Sequence, residues 1–332
     1  MVRRNLHAVW LALAMIAVAV PSAAAGSRVR YLPISQAAPI SLGITGLGAP
    51  WYRQGLDAYT DAVGGAPRLV MWYRTFGTDI FTPTQQNIMA ASGAAPMVTW
   101  DPVSPDGGQV SYADIALGSE DQYLASQAAV AVAWHRPLYI RLAHEMNTQT
   151  YVWGATVDGN TPQAFIAAWQ HVVTLFRQLG AVNVRWVWSP NVDCEGTCPF
   201  DAYYPGDQYV DWVALDGYNF AGFQGHAPWS SLWAIFGPSY RDITRLTGKP
   251  LMIAETACNP TGGNKARWIR RGFLNQIPRL MPRVRAVVWW DNVYAGVDWK
   301  VDSSAASLAA WRSVVASPLY GGGGSTPAAG RA

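Results

Sequence analysis

The 332-residue chain balances 24 Lys and Arg against 21 Asp and Glu, a formal net charge of +3, and half of its residues are apolar while 14% are charged. So weak a charge offers no electrostatic reason to expect nucleic acid or an acidic polymer as partner. The apolar content suits a large buried core and excludes a solvated, disordered chain.

In chain order, the first 25 residues read as a secretory signal. Arg3 and Arg4 precede an apolar run from Ala8 to Val20, and Pro21 leads into small residues ending Ala23-Ala24-Ala25. Thirteen apolar residues fall short of the roughly 20 that span a bilayer, so export with removal of the signal is expected rather than a retained membrane anchor. Residues 26–37 read as an irregular arm, 38–318 as the catalytic-sized domain, and 319–332, rich in glycine, as a flexible low-complexity tail.

Eight apolar runs rich in β-branched and aromatic residues recur along the domain: Ile40–Gly43, Arg68–Tyr73, Pro96–Asp101, Pro137–Glu145, Val184–Ser189, Asp211–Asn219, Pro250–Glu255 and Arg285–Asp291. Amphipathic segments such as Thr161–Gly180 and Ala266–Leu280 alternate with them. Thr161-Pro162 supplies a capping threonine before a proline at the first helical position, and Gly180 follows the helix end. Each βα unit takes about 35 residues, near the roughly 30 of a strand plus crossover, and eight units predict an α/β fold of the closed (β/α)8 barrel type. An open doubly wound sheet is the alternative. No Gly-x-Gly-x-x-Gly follows the first run and no phosphate-binding Gly-x-x-x-x-Gly-Lys occurs, which counts against it.

Two of the runs end in a single glutamate, Glu145 and Glu255, where barrel active groups project. Alternation along a strand places Arg141, Ala143 and Glu145 on one face, and Leu251, Ile253 and Glu255 on another, turning both acids toward the barrel axis. A charge at a mostly apolar mouth costs free energy unless it is paired or used. Two opposed carboxylic acids are the minimum apparatus for cleaving a glycosidic bond. His144 precedes the first acid, but the second histidine of a His-Glu-x-x-His zinc site is missing, so no metal is expected. Tryptophans near strand ends offer flat apolar platforms for pyranose rings, with Trp188, Trp289 and Trp290 the candidates. Cys194 and Cys198, four residues apart around a glycine, predict a small-loop disulfide in an exported protein; Cys258 is then a buried free thiol.

In order along the chain, the segments Val70-Met-Trp-Tyr73, Pro96-Met-Val-Thr-Trp-Asp-Pro102, Arg141-Leu-Ala-His-Glu-Met-Asn147, Trp188-Ser-Pro-Asn191, Tyr204-Pro-Gly-Asp207, Asp211-Trp-Val-Ala-Leu-Asp-Gly-Tyr-Asn219 and Ile253-Ala-Glu255 resemble glycoside hydrolase family 26. That family is a retaining clan of (β/α)8 barrels best known for endo-β-mannanases. The resemblance implies Glu145 as acid/base and Glu255 as nucleophile. It implies His144 contacting sugar hydroxyls, Tyr218 hydrogen-bonded to the nucleophile, Asp216 helping to line the site, and Trp289 or Trp290 beneath the sugar being cleaved. The sequence departs from the family's His-Glu-Met-Asn-Gly-x-Trp pattern, with Thr148 in place of the glycine and Thr150 in place of the tryptophan. The loop after the fourth run is therefore expected to lack that aromatic surface.

The implied activity is cleavage of internal β-1,4 bonds of a plant-type polysaccharide, mannan first and mixed-linkage β-glucan or xylan behind it. Non-catalytic carbohydrate binding by the same barrel is the reading from another class. Acid-assisted acetal hydrolysis needs neither redox chemistry nor a metal, so no cofactor is expected. The expected partner is the polysaccharide alone, met by a secreted monomer.

Overall fold

The computed structural model describes residues 39–321 apart from 47, 155 and 193–198. The proposed signal, the whole of the arm, both cysteines of the proposed disulfide and the glycine-rich end lie outside the described residues. Eight parallel strands, β1 (Ser41–Gly46), β2 (Leu69–Thr75), β3 (Ala95–Asp101), β4 (Leu138–Leu142), β5 (Val184–Trp188), β6 (Trp212–Asp216), β7 (Leu251–Thr256) and β8 (Val284–Asp291), pair in chain order, and β8 closes on β1. The chain is thus a (β/α)8 barrel.

Nine α-helices occur among the described residues, α1 (Arg53–Val63), α2 (Pro83–Ser92), α3 (Tyr112–Ala116), α4 (Asp121–Trp134), α5 (Pro162–Gln178), α6 (Leu232–Leu246), α7 (Lys265–Arg271), α8 (Ile277–Leu280) and α9 (Ala305–Val315). A two-stranded hairpin, β9 (Val293–Tyr294) and β10 (Val297–Asp298), follows β8.

Helix starts follow the capping chemistry. Thr161 accepts a hydrogen bond from Ala164 N at 3.1 Å ahead of Pro162, and Thr82 and Gln85 form a reciprocal capping box ahead of Pro83. The segment expected as one helix over 266–280 is α7 and α8 joined by a π-helical stretch, Gly272–Gln276. Pro278 has no N–H to give the carbonyl four residues earlier, and the widened turn absorbs the mismatch. The packed chain also runs past 318: Ile40 N donates to Leu319 O at 2.8 Å, and the buried Tyr320 donates to Phe273 O at 2.8 Å.

The core divides into two layers. One cluster holds strand residues alone, Leu69, Met71, Met97, Val187, Ala214, Met252, Ala254, Ala286 and Val288, and fills the barrel. The larger cluster takes the alternate strand positions together with the helices. Gly43 belongs to the inner layer, where a Cβ would come within 2.8 Å of Leu69 Cβ and 2.9 Å of Val288 Cγ2. A Gly43→Ala variant is expected to lose about 1–3 kcal/mol in denaturant unfolding through this overpacking; an unchanged midpoint would show that the inner layer is looser than described.

Candidate active site

Above the apolar filling, the inner rows end in polar groups: Tyr73 on β2, Arg141 on β4, Ser189 after β5, Asp216 on β6 and Glu255 on β7. Arg141 is fully buried and lies at their centre. Its Nη1 donates to Asp216 Oδ2 at 2.7 Å, its Nη2 to Glu255 Oε1, and its Nε to Thr99 Oγ1 at 2.9 Å. Tyr73 Oη adds a bond to Glu255 Oε1 at 2.7 Å, and Tyr218 Oη donates to Glu255 Oε2. Ser189 Oγ also donates to Asp216 Oδ2, at 3.0 Å, while Asp216 Oδ1 is buried without a partner among the described residues.

Glu255 faces the axis for a different reason from the simple alternation expected. Leu251 and Ile253 belong to the layer under the helices, whereas Met252 and Ala254 point inward. Register shifts against both β6 and β8 follow Ile253, and this irregularity reverses the parity so that Glu255 turns inward too. Glu145 is also not part of a strand. β4 stops at Leu142, and Ala143 and Glu145 take left-handed backbone conformations, φ 44° and 52°. Such residues cost on the order of 1–3 kcal/mol each and persist where the surroundings enforce them. Ala143 N donates to Trp100 O at 2.9 Å and Glu145 N to Ser189 O at 2.8 Å. Asn147 clamps the turn to the β5 loop through bonds to Asn191 N and Asn191 O, at 2.8 and 2.9 Å.

Glu145 and Glu255 thereby line one cavity of about 780 Å3, within the usual range for small-molecule and sugar sites. Their environments push them apart. Burial raises the Glu145 carboxyl to about 8, reinforced by the charge of Glu255 and opposed by Arg141 and a hydrogen bond from Asn191. Burial pushes Glu255 the same way, but Arg141, His144 and the hydroxyls of Tyr218 and Tyr73 outweigh it, and its carboxyl lies below the ordinary value.

His144 lines the cavity with Nδ1 2.9 Å from Asp101 Oδ1, its ring flanked by Tyr73 and Tyr151. Tyr218 and Trp290 line it as well, their rings edge-on at 6.2 Å. Three expected sugar contacts are placed elsewhere. Asp216 lies wholly buried beneath the cavity as a partner of Arg141. Trp188 is buried against Phe200 and Tyr204 in the helix-facing layer. Trp289 is buried among Trp268, Phe273 and Trp311, with Nε1 bonded to Trp299 O.

The loop after β4 carries an aromatic surface of its own, built not at Thr150 but from Tyr151, which lines the cavity stacked on Trp153 with centroids 4.4 Å apart and planes 5° from parallel. Tyr73, Arg141 and Tyr151 are the site residues that motif reading passed over, although Tyr73 and Arg141 lie in step with inward positions on their strands. Among the described residues no three His, Cys, Asp or Glu side chains come together as metal ligands. Cys258 is buried and free; burial lifts its thiol to about 12 despite a hydrogen bond from Asn219.

Residues 119–258 match the model of the family described as glycosyl hydrolase family 26. The chain belongs to glycosyl hydrolase family 26. Endoglucanase H of Acetivibrio thermocellus is 35% identical over 240 residues, 71% of this chain and 25% of that protein. A mannan endo-1,4-beta-mannosidase of Bacillus subtilis is 28% identical over 157 residues, 46% of this chain and 38% of that protein. This family 26 chain thus spans well under half the length of either relative. In fold it is similar to a family 26 β-mannanase from Bacteroides ovatus, with a TM-score of 0.65 at 15% identity over 85% of this chain and 89% of that one. The catalytic domain of a Bacillus sp. JAMB-750 endo-β-1,4-mannanase gives a TM-score of 0.64 at 18% identity, over 85% and 86% of the two chains.

The raised carboxyl carries a stability consequence. Between pH 4.5 and about 8 an unfolded Glu145 gives up its proton while the folded one keeps it, so rising pH through that window favours unfolding. A Glu145→Gln variant lacks this titration. Its melting temperature is expected to match wild type near pH 4.5 and to exceed it by several degrees near pH 8, an order of magnitude set by one raised carboxyl. A difference independent of pH would contradict the raised pKa.

Proposed function

We propose that this chain is a retaining glycoside hydrolase that cleaves internal β-1,4 bonds of a plant-type polysaccharide, with β-mannan the first substrate to test. One observation carries the reading: two carboxyls in one cavity, one favoured as the neutral acid and the other as the anion. In the first step a Glu255 oxygen attacks the anomeric carbon, the bond to the leaving oxygen breaks, and the Glu145 proton passes to that oxygen. In the second, Glu145, now ionised, takes a proton from water, and the hydroxide so formed attacks the same carbon and releases Glu255.

Arg141, Tyr73 and Tyr218 hold Glu255 ionised and oriented before attack. Trp290, and Tyr151 across the cavity, offer ring faces to the sugars, and His144, fixed by Asp101, offers a ring nitrogen to a hydroxyl. The N-terminal signal pattern supports action outside the cell.

A second reading, glucan in place of mannan, is favoured by a specific observation. The relative with 35% identity over 71% of this chain is called an endoglucanase, while the mannosidase from Bacillus subtilis matches less of it at lower identity. Reducing-sugar release from mannan, mixed-linkage β-glucan, xylan and laminarin ranks the backbones.

On the preferred one, kcat/KM is expected to fall below pH 4.5 as Glu255 takes a proton and above about 8 as Glu145 loses its own. Glu145→Gln is expected to cost on the order of a hundredfold or more on polysaccharide and to remove the alkaline limb; Glu255→Gln is expected to abolish turnover. Wild-type rate on polysaccharide in either variant, or wild-type rate of Glu255→Gln on an aryl glycoside with an activated leaving group, would overturn the role assigned to that residue.

A further inference from the structure

Single exposed apolar side chains are ordinary on a protein surface. Their distribution here is not. The exposed large aromatics among the described residues are Trp51, Tyr52 and Tyr294, at 42%, 67% and 60% exposure. All three stand on the loops that leave β1 and β8, and those strands pair along their length from Ser41 with Ala286 to Gly46 with Asp291. The two loops therefore rise side by side from the mouth of the barrel. At Gly46 even a Cβ would lie 2.4 Å from Asp291 O, so their roots are in close contact.

We propose that Trp51, Tyr52 and Tyr294 form a distal sugar-binding platform that extends the cleft past the catalytic cavity and holds units of a β-glycan chain remote from the bond cleaved. The inference rests on the glycosidase reading for its ligand. Continuity with the cavity supports it on both sides. Tyr294 lines the cavity and meets the Trp290 ring edge-on at 6.1 Å, so the aromatic surface runs from the interior to the open rim. Trp51 lies against the other flank, with the Arg74 guanidinium 5.5 Å from its ring centroid. Arg74 directly follows Tyr73, which binds Glu255.

The aromatics are also held in place, which lowers the entropy lost when a chain docks on them. Trp51 N and Tyr52 N both donate to Gly48 O at 2.9 Å, and the Tyr52 ring lies over Gly48, where a Cβ would approach it to 3.1 Å. The segment carrying Tyr294 is pinned from below. Lys265, a buried ammonium, donates to Trp299 O and Lys300 O at 3.1 and 2.7 Å. Val301 N donates to Asp291 Oδ1 at 2.7 Å. Rings of this kind, apolar on the face and wet at the edge, suit the C–H face of a pyranose while its hydroxyls stay in water.

The test compares wild type with a Trp51→Ala/Tyr52→Ala variant whose fold is checked by circular dichroism and melting temperature. The long probe is soluble glucomannan, whose backbone contains both sugars; the short probes are an aryl β-mannobioside and an aryl β-cellobioside. The variant's KM on glucomannan is expected to rise about tenfold, the loss of an aromatic contact of ordinary strength, with kcat/KM on the hydrolysed aryl disaccharide unchanged. Equal KM values on glucomannan, or matching losses on long and short probes, would overturn the platform. If wild type hydrolyses none of these probes, the glycosidase reading fails separately, and electrophoresis in glucomannan gels decides the platform. Retardation of wild type that the variant loses supports it, and equal mobility overturns it.

Discussion

The site depends on one buried cation. Arg141 has no exposed surface and makes direct contact with two carboxyls from neighbouring strands, Asp216 and Glu255. A guanidinium suits this position because its planar fork can serve several acceptors at once while remaining charged. A buried ion pair of this kind is weak evidence for stability, since desolvation offsets much of the attraction. Its consequence is local and chemical: it holds Glu255 as an anion where burial alone would neutralise it.

Glu145 is defined by contrast with that anion. It is buried in the same cavity with no ion pair to a cation among the described residues, and the charge of Glu255 acts on it. One carboxyl is therefore driven toward the neutral form and the other toward the ionised form, the division of labour that a double displacement needs. The backbone contributes as much as the charges. Two left-handed residues before and at Glu145, the register shift after Ile253, and the Asn147 clamp aim the acids where regular strands would not.

Much of this was legible in the sequence. Each of the eight strands falls on an apolar run expected to form one, because a parallel barrel buries both faces and its strands read as continuous apolar segments. The two glutamates stand at the mouth as their places at run ends suggested. Simple alternation does not turn Glu255 inward, since Leu251 and Ile253 lie on the helix-facing side and only the irregularity before Glu255 reverses the parity. Backbone irregularities of that kind leave no clear trace in composition. Among the tryptophans the outcome was readable: Ala286 and Val288 face inward, so parity favours Trp290 over Trp289, and Val187 inward puts Trp188 outward. The aromatic surface after β4 was hidden because it depends on Tyr151 stacking on Trp153, a contact made by the path of the loop rather than by the motif.

The charge asymmetry itself is open to direct observation. Carbon-13 NMR titration of the glutamate side-chain carboxyls, with Glu145→Gln and Glu255→Gln used for assignment, reads both protonation states in the folded protein. The account predicts one carboxyl titrating near pH 8, assigned to Glu145, and Glu255 ionised down to below pH 4.5. Two carboxyls titrating together in the ordinary glutamate range, about 4 to 5, would contradict it.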